Sequence, residues 1–183
     1  CFIDELAHAA GEDPIDYRRK LLAHNPRFLA VFELAVSNAG PVPPGLSRGV
    51  ALFESFGSIV AEVLDLEVID GVVFPRHITA AVDCGMVVHP RTVELQIMSA
   101  ATMGLSSALH ERISFKDGAA QQTNFHQNML LQMKEAPSVA VHIVPSAEPP
   151  GGVGEVGLPP ILGALGNAIF AATGKRIRTL PVG

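Results

Sequence analysis

The spacing of the hydrophobic residues changes once along this chain, and this change constrains the fold more than any other feature. Up to about residue 40, apolar residues recur at the three- to four-residue spacing of amphipathic helices. After the proline-rich segment 41–47, they alternate with the two-residue period of β-strands. The sequence therefore predicts a helical N-terminal segment, residues 1–40, and an α+β portion, residues 41–183, that forms a single compact unit.

The second part of the chain contains two strong turn signals. Asp70-Gly71 separates two Val- and Ile-rich runs and predicts a β-hairpin, and Asp117-Gly118 predicts a second, joining 113–115 to 120–125. Pro90 begins a long predicted helix that reaches about Arg112, in which Gly104 indicates a close backbone approach. The other predicted elements are helices over 1–10, 14–24, 26–37 and 160–174 and strands over 49–54 and 139–143. This order predicts an α+β fold with helices packed on a mostly antiparallel sheet.

Composition excludes several classes of protein. Hydrophobic residues make up 48% of the 183 residues and charged residues 17%, which is too apolar for a disordered segment. No stretch approaches the roughly 18–20 unbroken apolar residues of a membrane span. Thirteen basic residues against 18 acidic ones, with no long basic run, predict no nucleic-acid partner. Two cysteines exclude a disulfide scaffold and a zinc ribbon, and no metal held by side chains is expected. Because the chain opens without Met inside a predicted helix, we expect it to be a piece of a longer polypeptide.

The segment 149–160 is the most informative part of the sequence. It holds four glycines around a single carboxylate, Glu155, with prolines on both sides. Glycines allow a backbone to approach a ligand closely, and a carboxylate that is dry on such a loop can act as a general base. The alternative is a surface loop whose acid interacts favourably with the dipole of the following helix. Spacing alone leaves both interpretations open, although the absence of a following Gly-Lys-Ser/Thr excludes a P-loop.

Three further groups of polar residues are candidates for function. Cys84 lies between an aspartate and a glycine, five residues before His89. It could be a nucleophile or a metal ligand, but we favour a small buried residue at a strand end. Gln96 lies on or near the apolar face of the long helix, where a polar cofactor or backbone carbonyls would satisfy its amide. Residues 121–128 combine amides with an imidazole, which suits either recognition of a polar partner or a hydrated loop.

Taken in order, these motifs resemble one known family over essentially the whole chain. The matching segments are Phe2–Ala7, Gly11–Pro14, Ala81–Gly85 with Pro90 and Gln96, Gln122–Phe125, Gly151–Glu155 and Asn167–Pro181. They resemble the C-terminal part of the molybdenum-cofactor-binding large subunit of the xanthine oxidase (molybdenum hydroxylase) family. The most similar branch is that of the isoquinoline 1-oxidoreductase beta subunit and bacterial aldehyde dehydrogenases.

The resemblance implies a mechanism and a set of partners. It implies a molybdenum–pterin cofactor, with Glu155 as the general base that takes a proton from the hydroxyl on the metal. Gln96 would contact the pterin, and Gly152, Val153 and Gly154 would approach the cofactor through their backbone. The substrate would be an N-heterocycle or an aldehyde, with water as the oxygen source. The implied partners are the remainder of the large subunit and an iron–sulfur small subunit.

The chain also departs from the family pattern. His89 stands where the family commonly has Asn before Pro, and Val156 stands where Pro often follows the glutamate. The family's upstream glycine-rich loops, which clamp the pterin, are not in this chain, so we expect no activity from it alone.

The sequence allows two interpretations other than an enzyme subunit. One rival is a non-catalytic folding or assembly fragment that binds no cofactor by itself; the presence of Glu155 and Gln96 favours the enzyme. A weaker rival, a coenzyme A or phosphate site on the glycine segment, lacks a basic partner there. If the protein is like the exported branch, it is periplasmic or membrane-associated; otherwise it is cytoplasmic.

Overall fold

A computed structural model describes residues 1–182 of the chain. The helices are α1 (Phe2–Ala9), α2 (Pro14–Leu22), α3 (Pro26–Ala39), α4 (Pro90–Leu109) and α5 (Leu158–Thr173). The strands are β1 (Ser47–Ser55), β2 (Ser58–Ile69), β3 (Val72–Asp83), β4 (Phe115–Lys116), β5 (Ala119–Ala120) and β6 (Ser138–Ile143). Among these residues, no helix is both long enough and apolar enough to cross a bilayer.

The main sheet has the strand order β1-β2-β3-β6. The β1–β2 and β2–β3 pairs are antiparallel, whereas β6 runs parallel to β3 because the chain crosses over through α4 before it returns. The predicted hairpin at Asp70-Gly71 is confirmed, with positive φ at both turn residues (51° and 82°), as a two-residue turn of this kind requires. The α+β fold with a mostly antiparallel sheet is therefore confirmed.

The sheet is covered by helices on both faces. Helix α3 packs on one face, where Val31, Phe32 and Ala35 contact odd-numbered residues of β2 such as Ile59 and Val63. Helices α4 and α5 pack on the other face, against even-numbered residues that include Leu64 and Leu66. The predicted close approach at Gly104 is confirmed, since a β-carbon there would clash with Ile161 of α5. Helix α4 at Gly104 is therefore in close contact with the first turn of α5.

The second hairpin is shorter than the sequence predicts. Strands β4 and β5 have two residues each and do not extend into 121–125. The side-chain amide of Gln122 instead accepts a hydrogen bond from the backbone of Ser114 (2.8 Å), so a side chain takes the place of a strand partner. The long helix α4 likewise ends at Leu109, three residues before the predicted Arg112. The proposed division of the chain at residue 40 stays a prediction.

Candidate functional site

The loop that carries Glu155 rests on two turns at one edge of the sheet. The amide of Gly151 donates to the carbonyl of Cys84 (2.9 Å), just after β3. The amide of Gly152 donates to the carbonyl of Phe56 (2.8 Å), in the turn between β1 and β2. The carbonyl of Glu148 accepts from the amide of Met86 (2.9 Å). Backbone hydrogen bonds therefore fix the position of residues 148–152, which lead into the segment that carries Glu155.

The glycines of this loop serve two different purposes. A β-carbon at Gly151 would clash with the hydroxyl of Ser58, and one at Gly152 would lie 2.9 Å from the β-carbon of Phe56. These two glycines are needed because the loop packs closely against its own protein. A β-carbon at Gly154 would have no neighbour within 4 Å. Gly154, next to the carboxylate, is therefore the glycine whose backbone a ligand could approach closely, as the sequence predicts for this segment.

Glu155 is exposed between two anchored residues. Val156 is fully buried in the cluster under α4, and Val153 packs partly against the same cluster. The carbonyl of Glu155 accepts from the amide of Leu158 (3.0 Å), which is the first residue of α5. The loop thus presents the carboxylate outward while its neighbours hold the backbone. The dry surroundings expected for a base do not come from residues 1–182.

Gln96 is exposed on α4, so the expectation that it lies on or near the apolar face of the helix is wrong. The next residue, Ile97, has its carbonyl oxygen 3.3 Å from the point where a β-carbon of Gly157 would lie, and Ala100 contacts the same point at 3.4 Å. Gln96 is therefore next in sequence to a residue that lies close to the start of α5, where Glu155 also lies, although both side chains are exposed. Exposed apolar side chains also lie in the turns beneath the loop, namely Phe56 and Met86.

The Cys84 segment has a structural role, as favoured from the sequence. Cys84 is 3% exposed, and burial raises the pKa of its thiol, which disfavours the thiolate that a nucleophile needs. Asp83 pairs with Arg27 (Nε to Oδ2, 2.6 Å), and this partner lowers the pKa of the Asp83 carboxyl. Within residues 1–182, no three His, Cys, Asp or Glu side chains are grouped so that they can hold a metal ion.

His89 begins α4 as its N-cap residue. Its Nδ1 accepts from the amide of Thr92 (3.1 Å) and lies 2.8 Å from the hydroxyl of the same residue. An asparagine oxygen satisfies a helix start in the same way, so the departure from the family's Asn preserves the local structure.

The amide-rich segment 121–128 uses its side chains locally. Asn124 and Gln127 form a reciprocal capping box around a single 3-10 turn, Phe125–Gln127. These amides therefore stabilise the loop itself, which agrees with the interpretation of a hydrated loop. Phe125 is 95% exposed.

Two residues of the site region were missed from the sequence. Arg27 donates both to Asp83 and to the carbonyl of Gly57 (3.1 Å), so it joins the two turns on which the loop rests. Glu62 is fully buried beneath the start of α5. A signal for Glu62 was present, because it is the one charged residue among the even-numbered positions of β2, which are otherwise apolar apart from Ser58.

Comparisons with known proteins agree on one family. The protein-family model described as a molybdopterin cofactor-binding domain matches residues 43–137. The beta subunit of isoquinoline 1-oxidoreductase from Brevundimonas diminuta is 30% identical over 98% of this chain and 24% of its own length. A nicotinate dehydrogenase subunit from Pseudomonas putida is 32% identical over 99% of this chain and 17% of its own length.

Solved structures show the same fold. Quinoline 2-oxidoreductase from Pseudomonas putida 86 superposes with a TM-score of 0.63 at 20% identity, over 68% of this chain and 17% of that one. The aldehyde oxidoreductase of Desulfovibrio gigas superposes with a TM-score of 0.61 at 26% identity, over 68% of this chain and 14% of that one. The chain spans about a quarter or less of the length of these curated relatives.

Proposed function

Because this chain belongs to the molybdopterin cofactor-binding family, within the large subunits of xanthine oxidase-type enzymes, we propose that it supplies the general base of a molybdenum hydroxylase. The observation that carries this proposal is the exposed carboxylate of Glu155 on a loop fastened by backbone hydrogen bonds. The complete enzyme would oxidise an N-heterocycle or an aldehyde, with water as the oxygen source. Relatives named for isoquinoline, nicotinate and aldehyde support these two substrate classes.

The described residues fit one side of a large polar cofactor. Gly154 leaves open space beside its backbone, and Gln96 is exposed on α4 next to Ile97, whose carbonyl lies close to Gly157. An amide side chain both donates and accepts hydrogen bonds, which suits the mixed donor and acceptor edge of a pterin. When bound, the molybdenum–pterin group accepts the two electrons that leave the substrate.

Glu155 would act by receiving a proton at its carboxylate. A general base must reach the proton it removes, and the fastened backbone at Gly151 and Gly152 fixes the place from which this side chain reaches out. The residues around it within this chain leave it in water. The cofactor and the remainder of the subunit would cover the loop and exclude this water from the carboxylate.

The backbone of the loop would contribute the other contacts to the cofactor. The amide of Gly152 already donates to the carbonyl of Phe56, so Gly152 would contact a ligand through its own carbonyl oxygen. Val153 is partly buried against the core, whereas the space around the adjacent Gly154 is open. We therefore propose Gln96, Gly152, Val153 and Gly154 as cofactor contacts, with Gly154 the most direct of the backbone group.

The proposed partners are the remainder of the large subunit and an iron–sulfur small subunit that carries electrons away. The relatives named as subunits support an assembly of several chains. Phe56 and Met86, exposed apolar residues in turns that bond to the loop, support a surface that another part of the assembly covers.

The experiment is a cofactor and product analysis of the complete subunit and of its Gln96→Ala variant. We expect molybdenum and pterin in the parent, and product oxygen that derives from isotopically labelled water with an N-heterocycle or an aldehyde. The variant is expected to lose pterin while its free energy of unfolding changes by less than about 0.5 kcal/mol, because Gln96 is exposed. A folded complete subunit that binds neither molybdenum nor pterin would instead support the assembly-fragment interpretation.

A further inference from the structure

Glu62 is a buried acid that the proposed reaction does not use. It lies in the middle of β2, opposite Ala51 of β1 and Ala80 of β3. Its side chain is 0% exposed, and neither carboxyl oxygen has a hydrogen-bond partner within the described chain. A buried polar group without a partner is rare in folded proteins and calls for a physical reason.

Small residues surround this carboxyl and leave space for it. Its neighbours across the sheet are both alanines, and above it lie Ala100 of α4 and Gly157 at the start of α5. A β-carbon at Gly157 would lie 3.3 Å from Oε1 of Glu62. The carboxyl thus lies directly beneath the backbone that follows Glu155 by two residues.

No charged group faces Glu62 from any element packed against it within the described chain. The facing residues of β1, β3 and α4, and Gly157 at the start of α5, are alanines, Ile97 and glycine. Of the acids on the same or neighbouring elements, Asp65 lies on the opposite face of the sheet paired with Arg48, and Glu94 pairs with Arg91 at the surface. Burial, as the only cause, raises the pKa of Glu62 well above its ordinary value of 4.5.

We propose that Glu62 is a positioning residue for Glu155: its uncharged acid group packs directly beneath Gly157 and supports the backbone that follows Glu155. The carbonyl oxygen of Ile97 lies 3.3 Å from the same point of Gly157, so the carboxyl of Glu62 and helix α4 together bound the space beneath this glycine. Residues 153–157 therefore keep their place while Glu62 holds its proton. The role assigned to Glu155 rests on the proposed function, but the effect on the loop does not.

Loss of the proton has a predictable structural effect. An ionised carboxylate without a partner is strongly unfavourable in this site, and the simplest relief is displacement of the loop above it, which admits water. Opening of the loop is then linked to proton release. Between the ordinary pKa of a glutamate and the raised value in the closed protein, the opening equilibrium constant rises about tenfold per pH unit.

Hydrogen exchange of the backbone amides of residues 156–158, which are buried or hydrogen-bonded, tests this linkage without any cofactor. In the parent chain, the protection factors of these amides are expected to fall with increasing pH by up to about tenfold per unit. In Glu62→Gln, which has the same size and no titration, the protection factors should not depend on pH. Glu67→Gln is the matched control, since Glu67 lies on the same strand but reaches Arg76 at the surface, and it should behave as the parent does. Protection that is independent of pH in the parent, or an unchanged dependence in Glu62→Gln, would overturn the proposal.

Turnover of the complete, metal-loaded subunit tests whether the support from Glu62 reaches Glu155. Glu62→Gln keeps the size and shape of the uncharged acid and should keep a kcat near that of the parent. Glu62→Ala leaves the space beneath Gly157 empty, and its kcat should fall by about tenfold to 10²-fold at unchanged molybdenum content. An Ala variant with the parent's kcat and protection factors would overturn the positioning role. Because the exchange experiment needs no turnover, its failure is distinguishable from a failure of the role assigned to Glu155.

Discussion

The two faces of the sheet treat buried carboxyl groups in opposite ways. On the α3 face, Asp65 of β2 makes two hydrogen bonds of 2.7 Å to Arg48, whose guanidinium also donates to the carbonyls of Ala39 and Gly40 at the end of α3. On the α4–α5 face, three residues earlier on the same strand, Glu62 has no partner within the described chain. The Arg48–Asp65 pair therefore joins the sheet to the end of α3, whereas the uncharged Glu62 lies under the loop that carries the proposed base.

The same contrast appears beneath the loop itself. Arg27, at the start of α3, donates to Asp83 and to the carbonyl of Gly57, and Asp83 in turn accepts from the amide of Gly85 (2.9 Å). Through these bonds, the α3 face supports both turns on which residues 148–152 rest. Because Arg27 lowers the pKa of Asp83, this pair contributes stability above about pH 3.8 and loses it as the pH falls through the lowered value. Glu62 acts in the opposite direction, since its raised pKa makes the fold less stable as the pH rises above 4.5.

Arg48→Met should produce the largest loss of stability among these changes. It leaves Asp65 as a charge whose side chain is 7% exposed and has lost its partner, and it removes two bonds to the end of α3. We expect the free energy of unfolding to fall by about 3–5 kcal/mol, measured by denaturant titration.

A second variant distinguishes loss of the pair from loss of packing. Arg48→Met combined with Asp65→Leu removes the unpaired charge and should recover most of the stability, because apolar replacements of a buried pair are often neutral. A loss below about 1 kcal/mol in the single variant would mean that the pair behaves as a surface ion pair, and the contrast between the two faces would fail.

His89 gives a smaller effect, because its partner lies at the exposed start of α4. His89→Ala removes the acceptor for the amide of Thr92 and should lower the free energy of unfolding by about 1 kcal/mol. His89→Asn supplies another acceptor at the same place and should match the parent in the same titration. An alanine variant as stable as the parent would show that the cap contributes nothing.

Some features of the fold follow from local chemistry and were predictable. Asp70-Gly71 predicts its hairpin because both residues tolerate positive φ, and Gly104 predicts close helix packing because it lacks a β-carbon. The break between strands at 55–57 was predicted, but a tight turn was not identified there, since its first residue is Phe56, which adopts positive φ (54°) only in the context of the folded protein. The parallel pairing of β3 with β6 was not predicted either, because it depends on where α4 packs.

The site was predictable in its residues but not in their surroundings. The motif singles out Glu155 and Gln96, yet their exposure depends on what the rest of the chain covers. For Glu62, the alternation of β2 predicts a buried position, while the absence of a partner within the described chain depends on α4 and α5, which come from distant parts of the sequence. The local sequence thus identifies the candidate residues, whereas tertiary packing determines their protonation and their exposure to solvent.

Turnover of Glu155→Gln in the complete subunit tests most directly whether Glu155 is the general base. The substitution keeps the size of the side chain and removes its basicity, so molybdenum and pterin should remain bound. With metal loading equal to that of the parent, we expect the turnover rate to fall by at least about 10²–10⁴-fold. Glu155→Asp should also be strongly impaired, because misplacement of the carboxylate by roughly one carbon–carbon bond can lower the rate about 10²-fold. A fully loaded Gln variant that turns over near the parent's rate would contradict the role assigned to Glu155.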